Sequence, residues 1–164
     1  MNKNMIRKIF LLLSFFSFFL AESQKDSNTV VDNSVSTQLY TKCFQNLNQG
    51  NEIFKKYPTL DSSMFCSLLS CSFLLSYKET DIQMTAEQRL IGITTQLFKE
   101  GNPVYLISGL ESGSKEKKKN ENLEDDNRIV YISYAECTSP FFLKRAADIV
   151  NQQTLSLIKN ESSK

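Results

Sequence analysis

The chain has 164 residues, of which 41% are hydrophobic and 23% charged, with four cysteines and no histidine or tryptophan. This composition excludes collagen-like and wholly disordered chains, and the length suits one domain. Without histidine there is no Ser-His or Cys-His catalysis, no imidazole general base and no His-ligated zinc. A net charge of +1 argues against a sequence-independent nucleic-acid binder, which needs a strong positive excess.

Residues 1–23 have the pattern of a secretory signal peptide. Three basic residues precede an apolar stretch over residues 9–20, and residues 21–23 fit a cleavage site. The apolar stretch is much shorter than the roughly 20 residues that a helix needs to cross a bilayer. We therefore predict a secreted or lumenal protein with no membrane span after cleavage. Retention of residues 9–20 as an anchor is the alternative.

Residues 24–36 are polar and predict a flexible leader. A single helical domain is expected over residues 37–160. Apolar residues at three-to-four spacing predict its first helix over residues 37–57, weakened by Gly50. A second helix over residues 62–78 is apolar nearly all round, which favours a buried central helix over one in lipid.

A Thr-x-x-Gln capping box at Thr85 predicts the start of a third helix, and Gly101 marks its end. Ser139 is expected to cap the last helix, with Pro140 at its first position. Asn160 begins an Asn-x-Ser glycosylation pattern near the end of the chain. The fold class that follows is mainly α, a small disulfide-stapled bundle of about four helices.

Residues 104–107 and 129–134 are short, β-branched and aromatic, and they predict two strands that add a minor β-hairpin to the bundle. The segment between them, residues 109–128, is charged and is expected to be a disordered loop. Its lysines at 115–119 are most simply a solvated surface. Contact with an anionic surface and cleavage at a dibasic site are the functional alternatives.

All four cysteines, Cys43, Cys66, Cys71 and Cys137, follow the predicted signal peptide, so two disulfides are expected. Free thiols are the alternative, and a zinc site lacks a second close cysteine pair. On one helix, Cys66 and Cys71 would face different directions and could not bond to each other. An antiparallel pairing of the first two helices then favours Cys43–Cys71 and Cys66–Cys137.

Three classes of function remain open. The first is a non-catalytic interaction module that binds a protein or an apolar ligand and needs no cofactor or metal. The second is a lumenal or extracellular subunit of a membrane-associated assembly, which predicts an exposed apolar patch. The third is a secreted hydrolase that uses two carboxylates. Its candidate residues are Glu52, Glu79, Glu87, Glu100 and Glu136. Glu136 is the most interesting of them because it follows an apolar run, where burial would raise its pKa. Each of the five is nevertheless expected to be an ordinary solvated acid, so we predict no enzyme.

Overall fold

Residues 34–121 and 129–163 are described in a computed structural model, and the predicted signal peptide and most of the predicted leader lie outside them. The predicted bundle of about four helices is not confirmed, but this part of the chain is mainly helical, as predicted. It contains six α-helices, one 3-10 helix and two strands, which are α1 (Val35–Thr41), α2 (Glu52–Lys56), the 3-10 helix (Ser62–Phe65), α3 (Leu68–Leu74), α4 (Thr80–Lys99), β1 (Val104–Ser108), α5 (Ser112–Glu121), β2 (Val130–Ala135) and α6 (Phe141–Ser162).

The two long helices, α4 and α6, pack against each other and carry much of the hydrophobic core. Leu90 and Ile93 of α4 are buried, as are the small residues Ala146 and Ala147 of α6, which let the two helix backbones approach closely. Helix α3 packs against α4, and β1 packs against α6. The core is therefore shared between the helices and one face of the sheet.

The first predicted helix, residues 37–57, is broken into α1 and α2. Asparagine side chains bond to the local backbone between them, where Asn48 Oδ1 accepts from the Gly50 amide at 2.8 Å and Asn51 Oδ1 from the Ile53 amide at 3.1 Å. Such bonds compete with helical hydrogen bonds, and the second of them caps α2. Helix α1 begins at Val35, inside the segment predicted as leader.

The second predicted helix is also interrupted, between the 3-10 helix and α3. Asp61 caps the first piece, and its carboxylate accepts from the Ser63 amide at 2.7 Å. Ser67 is extended and caps the second piece, because the Ser67 and Ser70 hydroxyls each accept from the other residue's amide at 3.0 Å. The chain therefore turns immediately after Cys66. Helix α3 buries Leu68, Cys71 and Leu74 but exposes Phe73, so it is buried on one side and not all round.

The end of the third predicted helix agrees with the structure, and its start does not. Gly101 adopts φ +80°, and its amide donates to the Phe98 carbonyl at 3.0 Å, which closes α4. Helix α4 begins at Thr80, and the Thr85 hydroxyl donates to the Asp81 carbonyl instead of capping a helix. At the last helix, Pro140 rather than Ser139 occupies the capping position.

Both predicted strands are present, but they run parallel, so the expected β-hairpin is wrong. Val104 pairs with Val130, and Leu106 pairs with Ile132, with a bulge near Ser108. Parallel strands need a crossover connection, usually a helix, and α5 provides it inside the segment predicted to be a disordered loop. The rest of that segment, residues 122–128, lies outside the described residues.

Side chains close both outer edges of this two-stranded sheet. On the β1 edge, the Asn151 amide accepts from the Leu106 amide at 2.7 Å and donates to the Leu106 carbonyl at 2.9 Å. Thr154 completes that edge by donating to the Val104 carbonyl at 2.7 Å. On the β2 edge, Asn120 makes the same two bonds with Tyr131, at 2.8 and 2.9 Å. The asparagines thus take the place of missing neighbouring strands.

Helix α5 attaches to β2 through polar side chains spaced four residues apart. Ser112 is fully buried and shares a hydrogen bond with the Ser133 hydroxyl at 2.6 Å. The Glu116 carboxylate accepts from the Ser133 amide at 2.6 Å and from the Ser36 hydroxyl, which ties α1 to the same edge. Asn120 continues this stripe one turn further along.

We expect Asn151→Ala to lower the free energy of unfolding by about 1–3 kcal/mol, because it leaves both Leu106 backbone groups without their side-chain partner. The measurement is urea denaturation followed by circular dichroism. Gln152→Ala, at an exposed neighbouring position, is the matched control and should change stability by less than about 0.5 kcal/mol. Equal stability of the two variants would show that Asn151 does not close the sheet edge.

A second prediction concerns Asp81, which links α2 to the start of α4. Its carboxylate accepts from Lys56 Nζ at 2.6 Å and from the Tyr57 hydroxyl at 2.8 Å, and these bonds lower the pKa of Asp81. The stabilisation is present at neutral pH and is lost as the pH falls through the folded-state pKa. We therefore expect Asp81→Asn to lower the melting temperature near neutral pH.

That difference in melting temperature should shrink below about pH 4, where wild-type Asp81 itself becomes protonated in the unfolded chain and then in the folded one. Asp148→Asn, on the exposed side of α6, removes the same charge without those two bonds and serves as the control. A wild-type advantage over Asp81→Asn that stayed constant down to the most acidic condition would contradict the assignment.

Candidate functional site

Phe73 and Phe142 contact each other across two helices, and Phe141, next to Phe142 in the sequence, is exposed; we call these three residues the aromatic patch (Phe73, Phe141 and Phe142). Phe73 of α3 is 51% exposed and Phe141, the first residue of α6, is 81% exposed. The Phe142 ring lies 5.8 Å from the Phe73 ring, centroid to centroid. An exposed apolar group of this kind is typical of a contact surface for another molecule.

The aromatic patch is held in place by the start of α6. Phe142 is half-buried and packs against the core. One turn later, the Arg145 guanidinium donates to Gln83 at 2.7 Å and to the Glu87 carboxylate at 2.9 Å on α4. The helix end that carries Phe141 is therefore fixed to the neighbouring helix by packing and by a forked polar contact.

Two adjacent phenylalanines at the start of a helix are a signal of this surface that the sequence reading missed. Successive helical residues point about 100° apart, so Phe141 and Phe142 cannot both face a core on one side. The sequence alone did not show that Phe73, distant in the chain, joins them.

The disulfide pairing differs from the predicted one. Cys43 is bonded to Cys66, with their Cα atoms 4.7 Å apart, whereas Cys71 and Cys137 are free thiols. The predicted pairs, Cys43–Cys71 and Cys66–Cys137, assumed two continuous helices. Because the first helix ends at Thr41 and the second is interrupted after Cys66, neither cysteine of the real bond lies on the helix assigned to it. The expectation that Cys66 and Cys71 do not bond to each other agrees with the structure.

Hydrogen bonds join the two chain segments that the disulfide links, which indicates a structural role for this disulfide. The Phe44 amide donates to the Cys66 carbonyl at 2.8 Å. From α4, Arg89 Nε donates to the Phe65 carbonyl at 2.9 Å, and its Nη2 donates to the Gln45 carbonyl. The Cys43–Cys66 disulfide and the Arg89 guanidinium together hold the loop after α1 against the 3-10 helix.

The five acids proposed for a hydrolase lie in ordinary surface environments. Glu52 pairs with Lys55 at 2.5 Å and Glu87 with Arg145 at 2.9 Å. Glu100 pairs with Lys42 at 2.9 Å, and that hydrogen bond lowers the pKa of Glu100. The remaining two, Glu79 and Glu136, are exposed. The exposure of Glu136, which follows the last residue of β2, agrees with the expectation of an ordinary solvated acid.

The described residues also bear on metal binding, on membrane crossing and on the glycosylation pattern at Asn160. Among residues 34–121 and 129–163, no group of three or more Cys, Asp or Glu side chains is placed to hold a metal ion. Over the same residues, no helix has both the length and the apolar character required to cross a bilayer. Asn160 is exposed near the end of α6, and its glycosylation stays a prediction.

No protein-family model, curated protein or solved structure matches this chain.

The two free thiols should differ sharply in reactivity. Cys71 is fully buried, and burial raises the pKa of its thiol to about 12, so very little reactive thiolate exists at mildly alkaline pH. Cys137 is exposed.

We expect iodoacetamide to modify Cys137 in the folded protein and Cys71 only after unfolding, as measured by peptide mass spectrometry. Non-reducing digests should contain a Cys43–Cys66 linked peptide. Rapid labelling of Cys71 in the folded protein, or a Cys66–Cys137 peptide, would contradict the structure.

Proposed function

We propose that this protein is a non-catalytic interaction module of the secretory lumen or the extracellular space, and that it binds a partner protein through the aromatic patch. The observation that carries the proposal is the 81% exposure of Phe141 beside the contacting rings of Phe73 and Phe142. An open surface of this kind favours a protein partner over a small apolar ligand, which would be enclosed on most sides.

Burial of the aromatic patch would supply a useful part of a binding free energy. Removing an exposed phenylalanine side chain from water contributes about 1.5–3 kcal/mol. Because Phe142 is packed on the core and Arg145 fixes the same helix end, little ordering of the patch is required on binding. Aromatic anchors presented on a rigid element are characteristic of interface hot spots.

The proposed compartment is supported by cysteine chemistry. The Cys43–Cys66 disulfide joins two loop segments of the folded domain, and stable disulfides are favoured in oxidising compartments. The signal-peptide pattern over residues 1–23 points the same way. The same surface also suits the second class considered above, a subunit of a membrane-associated assembly, for which the partner would be another subunit.

The test uses a photo-crosslinking phenylalanine analogue placed at position 141 and, in a separate variant, at position 155. Leu155 is 49% exposed on α6, far along the helix from the patch, and provides the control. In the secretory compartment of expressing cells, we expect one discrete crosslinked species from position 141 and none from position 155. Excess wild-type protein should compete for this crosslink, and a Phe73→Ser/Phe141→Ser variant should not.

Equal crosslinking from both positions, or competition by the double serine variant as effective as by wild type, would contradict binding through the aromatic patch. Circular dichroism should show that the serine variant keeps its helical content, because both substituted side chains are largely exposed.

A further inference from the structure

Three of the four lysines on α5 lie along one side of the helix and define a surface that we call the lysine strip (Lys115, Lys118 and Lys119). Their spacing of three and four residues places them next to one another on successive turns. The polar stripe that attaches the helix to β2 lies on a neighbouring side of α5, roughly 100° around the helix axis. All three lysines of the strip are exposed.

The lysine strip forms no ion pair in the described part of the chain, and besides Glu116 its nearest acids in the sequence are Glu111, four residues before Lys115, and Glu121, three residues after Lys118. The Glu116 carboxylate, in the middle of the lysine run, is directed inward to the Ser133 amide and the Ser36 hydroxyl. The fourth lysine, Lys117, lies 3.9 Å from Glu121 on another side of the helix. Among the described residues, no carboxylate forms an ion pair with a lysine of the strip. Within α5 itself, the attachment of Glu116 to β2 thus leaves a local excess of positive charge at the surface.

Apolar and aromatic side chains adjoin this positive surface. Leu110 is 73% exposed immediately before α5, and its carbonyl accepts from Lys115 Nζ at 3.1 Å. The turn that holds it includes two left-handed residues, Gly109 at φ +107° and Glu111 at φ +62°. At the other end of the strip, Lys119 Nζ lies 4.2 Å from the centroid of the Tyr131 ring.

A second tyrosine extends this end of the surface. The Tyr131 ring is 5.8 Å from that of Tyr105, its partner in the sheet register. Lysines, tyrosines and an exposed leucine within one surface match the layers of a bilayer interface, in which anionic phosphates lie directly above apolar chains.

We propose that the lysine strip and Leu110 bind the surface of an anionic phospholipid membrane. In this arrangement the three ammonium groups contact lipid phosphates and carboxylates, Leu110 enters the acyl boundary and the tyrosines lie at headgroup depth. An acidic polypeptide would use the lysines and leave Leu110 in water. A nucleic acid is disfavoured by the nearly neutral net charge and by the leucine. The surface belongs to different elements from the aromatic patch, so this inference does not depend on the proposed function.

The experiment measures partitioning of the purified protein onto vesicles of phosphatidylcholine, with and without phosphatidylserine, by sedimentation. We expect binding only when phosphatidylserine is present, and weakening of that binding at high salt. A Lys115→Gln/Lys118→Gln/Lys119→Gln variant should bind roughly 100-fold more weakly, since each lysine contributes about fivefold at an anionic surface. The matched control, Lys55→Gln/Lys144→Gln/Lys159→Gln, removes the same charge from exposed positions elsewhere and should lose much less affinity.

A second variant separates a lipid from other anions. Leu110→Ser should weaken vesicle binding by about fivefold or more, because it removes the side chain that enters the membrane. It should leave any binding of polyglutamate unchanged. Inorganic phosphate at moderate concentration should not compete with the vesicles, and circular dichroism checks the fold of each variant.

Three results would overturn the proposal. They are equal binding to vesicles with and without phosphatidylserine, equal losses in the strip variant and its control, and binding to polyglutamate that is tighter than to vesicles and insensitive to Leu110→Ser. The last result would assign the strip to an acidic polypeptide instead.

Discussion

The structure depends on how the outer edges of a two-stranded parallel sheet obtain their backbone hydrogen bonds. Two strands alone are marginally stable in water, and each exposes a full row of donors and acceptors on its outer side. Here Asn151 from α6 and Asn120 from α5 each bond to both backbone groups of one strand residue. A single amide side chain can do this because it carries a donor and an acceptor at the spacing of a peptide group. The two strands thereby connect α5 on one side and α6 on the other, and through them the remaining helices.

The polar attachment of helices to the sheet edges also explains why the parallel direction of the strands could not be predicted from the sequence. The positions of both strands follow from their β-branched and aromatic residues, but strand direction depends on the connection. Helix α5 contains no large apolar residue, so a search for hydrophobic periodicity finds only a charged segment. Its attachment surface is a polar stripe, Ser112, Glu116 and Asn120, with the same four-residue spacing that an apolar stripe would have. Reading hydroxyl, carboxylate and amide side chains at that spacing as an attachment surface would have suggested a crossover helix.

The cysteine pairing was mispredicted for a related reason. Apolar residues of the two predicted helices, among them Leu39, Phe44 and Leu68, are buried, but the helices that contain this apolar pattern are shorter than predicted. Short polar side chains such as those of Asn51 and Ser67 bond to nearby amides and end or restart a helix at small local cost. Each such break changes the direction of the chain after it and the direction in which the later side chains point. With two continuous antiparallel helices, the expected positions along the helix axes placed Cys66 too far from Cys43 for a disulfide. In the structure their Cα atoms lie only 4.7 Å apart.

Both proposed surfaces consist largely of side chains that the core and the sheet leave exposed. On α6, the core requires Ala146, Ala147 and Val150, and the sheet edge requires Asn151, which leaves Phe141 in water at the start of the helix. On α5, the sheet edge requires Glu116, and this removes the acid that would otherwise neutralise the adjacent lysines. A solvated carboxylate at position 116 would make α5 an ordinary mixed-charge surface helix. The positive surface is thus a consequence of closing the sheet, and a change that released Glu116 would alter the stability of the β2 edge and the charge of the lysine strip together.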